Sequence, residues 1–207
     1  MRKLVLDSNS NALTCGGKAI ILRDGVPDGY RRLTGVQFDG GVWYESNLYL
    51  QGSDTLRFSF EASIACNVLG CYTTATAQTN FSLYAALTAG SSYLRYNGGT
   101  YDSAIDVNTR YDVTMTPTGS HGMKNDSSWT AQTFTAESKM CIGTTSLAAQ
   151  SAKLTGKLYG DVEVEGRELF IPVERLSDNK ILYWASIGGY FMENLGGGTP
   201  AALGYVL

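Results

Sequence analysis

The residue pattern of this chain points to an all-β antiparallel fold, a sandwich or a barrel, on three observations. Apolar and polar residues alternate with period two in segment after segment, turn signals separate those segments, and no stretch carries a clear helical stripe. Its 207 residues suffice for one such domain with a full core. Charged residues make up 17% of the chain, below the ~25% usual for soluble domains. Tyr, Gly, Ser, Thr and Asn take their place, a balance that favours strands and turns over helices.

Taken in order, Lys3 to Asp7 and Ala19 to Arg23 read as two short strands around an Asn-Ser-Asn loop. Asp24-Gly25-Val26-Pro27-Asp28-Gly29 reads as a linker or tight turn. Residues 1–28 are expected to form an N-terminal β extension, and residues 29–207 the main β domain. Tyr30-Arg31-Arg32-Leu33 opens its first strand. Leu56, Phe58, Phe60, Ala62, Ile64 and Cys66 alternate with Arg57, Ser59, Glu61, Ser63 and Ala65, which predicts one half-buried strand running through Cys66. Tyr111 to Met115 repeats the pattern, and Pro117 with Gly119 ends it. Ser146 to Lys153 is the one helical candidate and reads as a loop or a single turn. Val162 and Val164 alternate with Asp161, Glu163 and Glu165, and Glu165-Gly166 reads as a hairpin turn. Leu169, Ile171 and Val173 alternate with Phe170, Pro172 and Glu174. Because proline has no N–H to give a ladder, Pro172 predicts an edge strand or a bulge. Further turn signals stand at Asp39-Gly40-Gly41, Gln51 to Asp54, Asn97-Gly98-Gly99, Ser177-Asp178-Asn179 and Gly196-Gly197-Gly198.

The bulk properties bound the function classes. A net charge of −3 without a basic stripe argues against nucleic acid. No window of ~18 apolar residues is present to insert in a membrane as a helix. The apolar run after Met1-Arg2-Lys3 stops at Asp7, too short for a secretory signal core. Cys15, Cys66, Cys71 and Cys141 lack zinc-site spacing and a neighbouring His, so buried thiols are expected rather than a metal site or two disulfides.

The last third carries a more specific pattern. Gly156-Lys157-Leu158-Tyr159-Gly160 is followed by Phe170-Ile171-Pro172-Val173, then Ser177 to Tyr183, Tyr190-Phe191 and Asn194-Leu195-Gly196-Gly197-Gly198-Thr199. This series resembles the closing strands of the laminin-G/concanavalin-A-like jelly rolls of tailed-phage and prophage structural proteins. Those read roughly as a K-L-Y-G strand, an F-V-P-x-R strand, an S-D-G hairpin, an F-Y strand and an N-x-G-T-G turn. Upstream, Gly29 to Val36, Gly40 to Tyr44, Tyr93 to Gly99, Asn108 to Tyr111 and Ile142-Gly143 follow the family order more loosely. The resemblance implies a jelly-roll sandwich in a virion protein of tail, fibre or head. It further implies attachment to other virion subunits, with residues 1–28 as the arm, and a symmetric homo-oligomer, for instance a trimer. Its ligand would be a cell-surface or mucosal glycan, and exposure on the particle would follow host lysis. A short chain beginning at Met1 suits a stand-alone accessory protein.

Candidate chemistry is sparse. Concanavalin-A-like glucanases carry an E-x-D-x-x-E strand whose carboxylates line the sugar cleft. Asp161, Glu163 and Glu165 would likewise share one face, which makes a glycan hydrolase the alternative to a solvated strand. A free bacterial lectin is a further alternative. His121, the sole histidine, sits in what reads as a hairpin tip, so no triad or multi-histidine metal site is expected. Asp102, Asp106, Asn108, Asn125 and Asp126 offer loop oxygens for calcium without an ordered motif, which leaves the metal open. Thirteen Tyr and three Trp supply rings for sugar stacking or for the core. Tyr44, Trp129 and Trp184 are the candidate ligand-binding residues; no cofactor and no catalytic residue is expected.

Overall fold

The computed structural model describes residues 25–71, 81–85, 93–97, 99–102, 105–145 and 153–207, together with the strand backbone at 5–6, 12–15 and 18–21. Three N-terminal strands, β1 (Val5–Leu6), β2 (Ala12–Cys15) and β3 (Lys18–Ile21), pair antiparallel in that order, where the sequence suggested two. The first half of the remaining chain supplies β4 (Tyr30–Arg32), β5 (Gly35–Asp39), β6 (Tyr44–Glu45), β7 (Leu56–Ala62), β8 (Cys66–Cys71), β9 (Phe81–Ala85) and β10 (Tyr93–Tyr96). Then come β11 (Gly99–Asp102), β12 (Tyr111–Thr116), β13 (Gly119–His121), β14 (Ser127–Ser128) and β15 (Cys141–Ile142). The closing strands are β16 (Thr155–Val164), β17 (Glu168–Arg175), β18 (Ile181–Ala185), β19 (Tyr190–Met192) and β20 (Ala201–Ala202).

Two sheets result, and every strand pair in them is antiparallel. A six-stranded sheet runs β11-β10-β9-β8-β15-β6. A larger one runs β14-β13-β12-β7-β16-β17-β18-β19, with β5 beside the first half of β16, β20 beside β5 and β4 beside the end of β17. Both sheets feed one hydrophobic core, in which Phe38, Phe60, Leu158 and Phe170 lie with Tyr44, Leu69, Phe81 and Ile142. The ring of Tyr44 bridges the layers, edge-on to Phe38 at 6.1 Å and to Tyr183 at 5.0 Å. The fold is all-β and sandwich-like, with no helix among the described residues. Residues 146–152, nearly all of the one helical candidate, lie outside the described residues.

Period-two alternation decides the faces. Leu56, Phe58, Phe60 and Ala62 point into the core, with Arg57, Ser59 and Glu61 outward. Tyr111, Val113 and Met115 do the same in β12. The predicted strand through Cys66 is in fact two strands. The chain bends at Ser63–Ala65, leaves Ile64 half exposed, and crosses from the larger sheet into β8 of the smaller one. A sequence period cannot register this, because the alternation resumes in phase after the bend.

Pro172 corrects a second expectation. It lies in an interior strand, paired with Tyr183 of β18 on one side. On the other side β16 pairs only as far as Phe170, and β4 takes over at Val173. The Pro172 carbonyl accepts from Leu33 N (2.9 Å) at this seam. In a strand the N and O of one residue face the same side, so the missing N–H falls where neither neighbouring ladder needs it.

Strand β17 is buried on both faces. Phe170 faces the main core, while Ile171 and Val173 join Leu182 and Val26 in a second cluster outside the sheet. Tyr30, Leu169, Trp184 and Phe191 close that cluster, with Tyr30 stacked on Phe191 at 4.2 Å. Among the described residues, packing against the sandwich begins at Val26.

Candidate functional site

The most unusual chemistry lies where β16 breaks register. Gly160, Asp161 and Val162 stand opposite Phe58 alone in β7. Gly160 takes a left-handed φ of 63°, which a glycine adopts at no steric cost. At this bulge Arg32, at the end of β4, donates to one oxygen of the Asp161 carboxylate. Its other oxygen is buried without a hydrogen-bond partner among the described residues. Burial pushes the Asp161 pKa up; Arg32 opposes that push and nearby Glu163 adds to it. An open cleft of about 310 Å³ lies here, lined among others by Arg57, Ser59, Asp112, Asp161, Glu163 and Leu169.

Val162 and Val164 point inward, and Asp161, Glu163 and Glu165 share the outer side, as alternation predicts. The hairpin at Glu165-Gly166 forms, with Arg167 N donating to Val164 O (2.9 Å) and Gly166 at φ 70°. Glu163 and Glu165 both face Arg57, at 3.7 and 3.1 Å. Next to them Ser59 donates to Asp112, which also accepts from Arg110 (2.9 Å), and these donors hold its carboxyl below the usual range. Lys157 and Tyr159 donate to Glu61, with Lys157 the larger cause of its lowered pKa. The outer face is therefore a lattice of alternating charges.

The aromatic candidates occupy different places. Tyr44 is wholly buried, its hydroxyl donating to Ile181 O (3.3 Å), and burial pushes its pKa up. A ring with no exposed surface cannot stack on a sugar, so Tyr44 is a core residue. Trp129 is only 8% exposed, stacked on Tyr96 at 5.1 Å and tilted against Tyr101 at 4.9 Å. Both rings belong to the buried core, where large aromatic side chains contribute much of the packed area. Trp184 is half-buried against Phe191 at 4.7 Å, on the opposite face of its sheet from the main core. The three do not converge on one site.

Several residues that sequence reading passed over do structural work around a second cleft. Asp54, 2% exposed, receives Gln51 N (2.7 Å) and an Arg167 guanidinium NH, and Arg167 also donates to Tyr49 O (3.1 Å). These bonds fix the 51–54 turn. Gly52 N donates to Phe134 O (2.9 Å), and the buried Tyr96 hydroxyl donates to Gly52 O (2.7 Å) while accepting from Gln132 N (3.1 Å). The turn and the 132–135 segment are so clipped together as the walls of a cleft of about 350 Å³. Glu168, also buried, accepts the backbone N–H groups of Leu169, Ile187 and Gly188 and caps the β18–β19 turn.

The Asn194–Thr199 motif is a clamp. Asn194 Oδ1 accepts from Trp43 N and Gly196 N, and Asp39 accepts from Gly41 N and Thr199 N. A Cβ on Gly196 would stand 1.7 Å from Gly41 O, and one on Gly198 would stand 2.2 Å from Asp39 Oδ1. The glycines let two backbones touch.

Cys66, Cys71 and Cys141 are free and buried, and burial pushes their thiols up to about 11, 12 and 12; the Cys15 side chain lies outside the described residues. His121 sits at the end of β13 rather than at a hairpin tip, its exposed ring 3.0 Å from Asp126. Of the loop oxygens considered for calcium, Asp106 pairs with Lys124 and Asp126 with His121. No group of three or more His, Cys, Asp or Glu poised for a metal occurs among the described residues. Comparison with protein-family models, curated proteins and solved structures finds no match to this chain.

Proposed function

We propose that this chain is a non-enzymatic structural or accessory protein of a tailed-phage virion, whose sandwich recognises a cell-surface or mucosal glycan. The observation that carries the non-enzymatic reading is the pairing of the β16 carboxylates. Asp161 is held by Arg32, and Glu163 and Glu165 share Arg57. A glycosidase needs one carboxyl kept protonated as acid and a second free to attack or activate water. Here each of the three carboxylates has a guanidinium partner within ion-pair distance, so the strand offers no pair of unengaged carboxyls for those two roles. The virion reading is supported by the closing-strand motifs, which fall on consecutive strands β16 to β19 and on the Asn194–Thr199 clamp. In this reading residues 1–28 attach to neighbouring subunits and the protein works as a symmetric homo-oligomer. Immunogold electron microscopy of particles from the source, with antibody to this chain, tests it. Gold at the tail tip supports host recognition and gold on the shell supports decoration. Unlabelled particles overturn the virion role and leave a free lectin.

A second reading rests on Asp161 itself. Its pKa is raised by burial, it has an unpartnered oxygen, and Glu163 lies beside it in a cleft, the pattern expected of a general acid. Release of reducing sugar from β-glucan by the wild-type protein, lost in both Asp161→Asn and Glu163→Gln, would replace the recognition module by a glycan hydrolase.

A further inference from the structure

We infer that the cleft between the 51–54 turn and the 132–135 segment is a binding subsite for a neutral sugar, an inference that rests on the glycan-recognition reading and gives it a location. Its lining is Gln51, Ser53, Gln132, Thr133, Phe134 and Thr135, which contains no charged side chain. Two amides and three hydroxyls surround one half-buried aromatic ring. None of these five polar side chains makes a hydrogen bond among the described residues, so their donors and acceptors are uncommitted. Elsewhere on this protein, polar side chains are extensively tied to one another, as on the outer face of β7, β12 and β16.

The walls, by contrast, are fixed. The Tyr96 hydroxyl joins Gly52 O to Gln132 N, Gly52 N bonds Phe134 O, and the buried Asp54–Arg167 pair holds the turn from behind. Even the space for a Cβ is closed at Gly52, where it would meet Gln132 O at 2.1 Å. The ring of Phe134 packs edge-on against Tyr96 at 5.3 Å, which sets its orientation. The fixed backbone spares the cost of ordering a loop, so that binding has only the rotamers of the lining side chains to order. Amides and hydroxyls both donate and accept, as sugar hydroxyls do, and an aromatic face covers the C–H side of a pyranose. A nucleic acid or an acidic glycan would require cations in the lining, and none is there. A volume of about 350 Å³ suits one or two sugar rings.

The test is a panel of immobilised oligosaccharides, neutral hexose and N-acetylhexosamine chains beside sialylated and uronic-acid chains, probed with the full-length protein. Binding to neutral members is expected, weakened about tenfold by Gln132→Ala and again by Thr133→Ala, each an exposed residue whose truncation leaves the fold intact. Phe134→Ala should remove binding, with thermal unfolding as its folding control. Asp161→Asn, in the other cleft, should bind as wild type. Binding that persists in the Gln132 and Thr133 variants, or that moves with Asp161→Asn, overturns this site while sparing the glycan-recognition reading. Binding confined to acidic chains overturns the neutral ligand. A panel with no bound member overturns site and reading together.

Discussion

Two buried tyrosine hydroxyls with opposite surroundings allow a direct test of how polar satisfaction shapes this fold. The Tyr96 hydroxyl donates to Gly52 O at 2.7 Å and accepts from Gln132 N at 3.1 Å. The Tyr183 hydroxyl is buried with no hydrogen-bond partner among the described residues. Tyr96→Phe keeps the ring against Trp129, Phe81 and Phe134 and removes only the clip. It leaves the buried Gly52 carbonyl without its donor, for a loss of about 1–2 kcal/mol. Tyr183→Phe instead relieves an unsatisfied polar group, and stability should rise by about 0.5–1 kcal/mol. Urea unfolding followed by tryptophan fluorescence reads both, with an unchanged slope showing that only stability moved. Tyr96→Phe at wild-type stability, or Tyr183→Phe as destabilising as Tyr96→Phe, would refute the reasoning.

Four further outcomes follow from the geometry. Gly196→Ala drives a Cβ into Gly41 O and should cost about 2–3 kcal/mol, whereas Gly197→Ala, with nothing within 4 Å, should be near neutral in thermal melts. Arg167→Met strands the buried Asp54 carboxylate and should cost about 3 kcal/mol by urea unfolding. Asp39, Glu61, Asp112, Asp126 and Asp178 are all held below their ordinary pKa, Asp178 at about 2 by Arg175. Each stabilises the fold above its unfolded value and loses that contribution as pH falls through its folded one; Asp161, held high, has the reverse sign. Melting temperature should therefore drop between about pH 4 and 2. Finally, Cys66, Cys71 and Cys141 should resist iodoacetamide at pH 8 in the native protein and react once it is unfolded, read by mass spectrometry.

Much of the fold was legible because its strands are half-buried and their side chains alternate. The inner row Leu56, Phe58, Phe60 and Ala62, the row from Tyr111 to Met115 and the hairpin at Glu165-Gly166 all follow from local rules. What stayed hidden depends on partners distant in sequence. Ile64 continues the apolar phase, yet the chain there changes sheets. Pro172 looks like an edge residue, yet the seam between β16 and β4 excuses its missing N–H. Tyr44 looked available for a ligand, yet it joins the two layers. The glycines of Asn194–Thr199 read as a turn, but their spacing answers the backbone of Gly41. Gln51 opens a turn that the sequence signals, but Gln132 and Phe134 carry no signal of their own; the Tyr96 hydroxyl brings the two segments together.

Recognition and hydrolysis separate most directly in one experiment. The protein would be incubated on the immobilised oligosaccharide panel, with retained protein and released reducing sugar measured from the same wells. Retention on neutral glycans without sugar release is the outcome expected of a recognition module. Release of sugar that disappears in Asp161→Asn would contradict it and make β16 a catalytic strand.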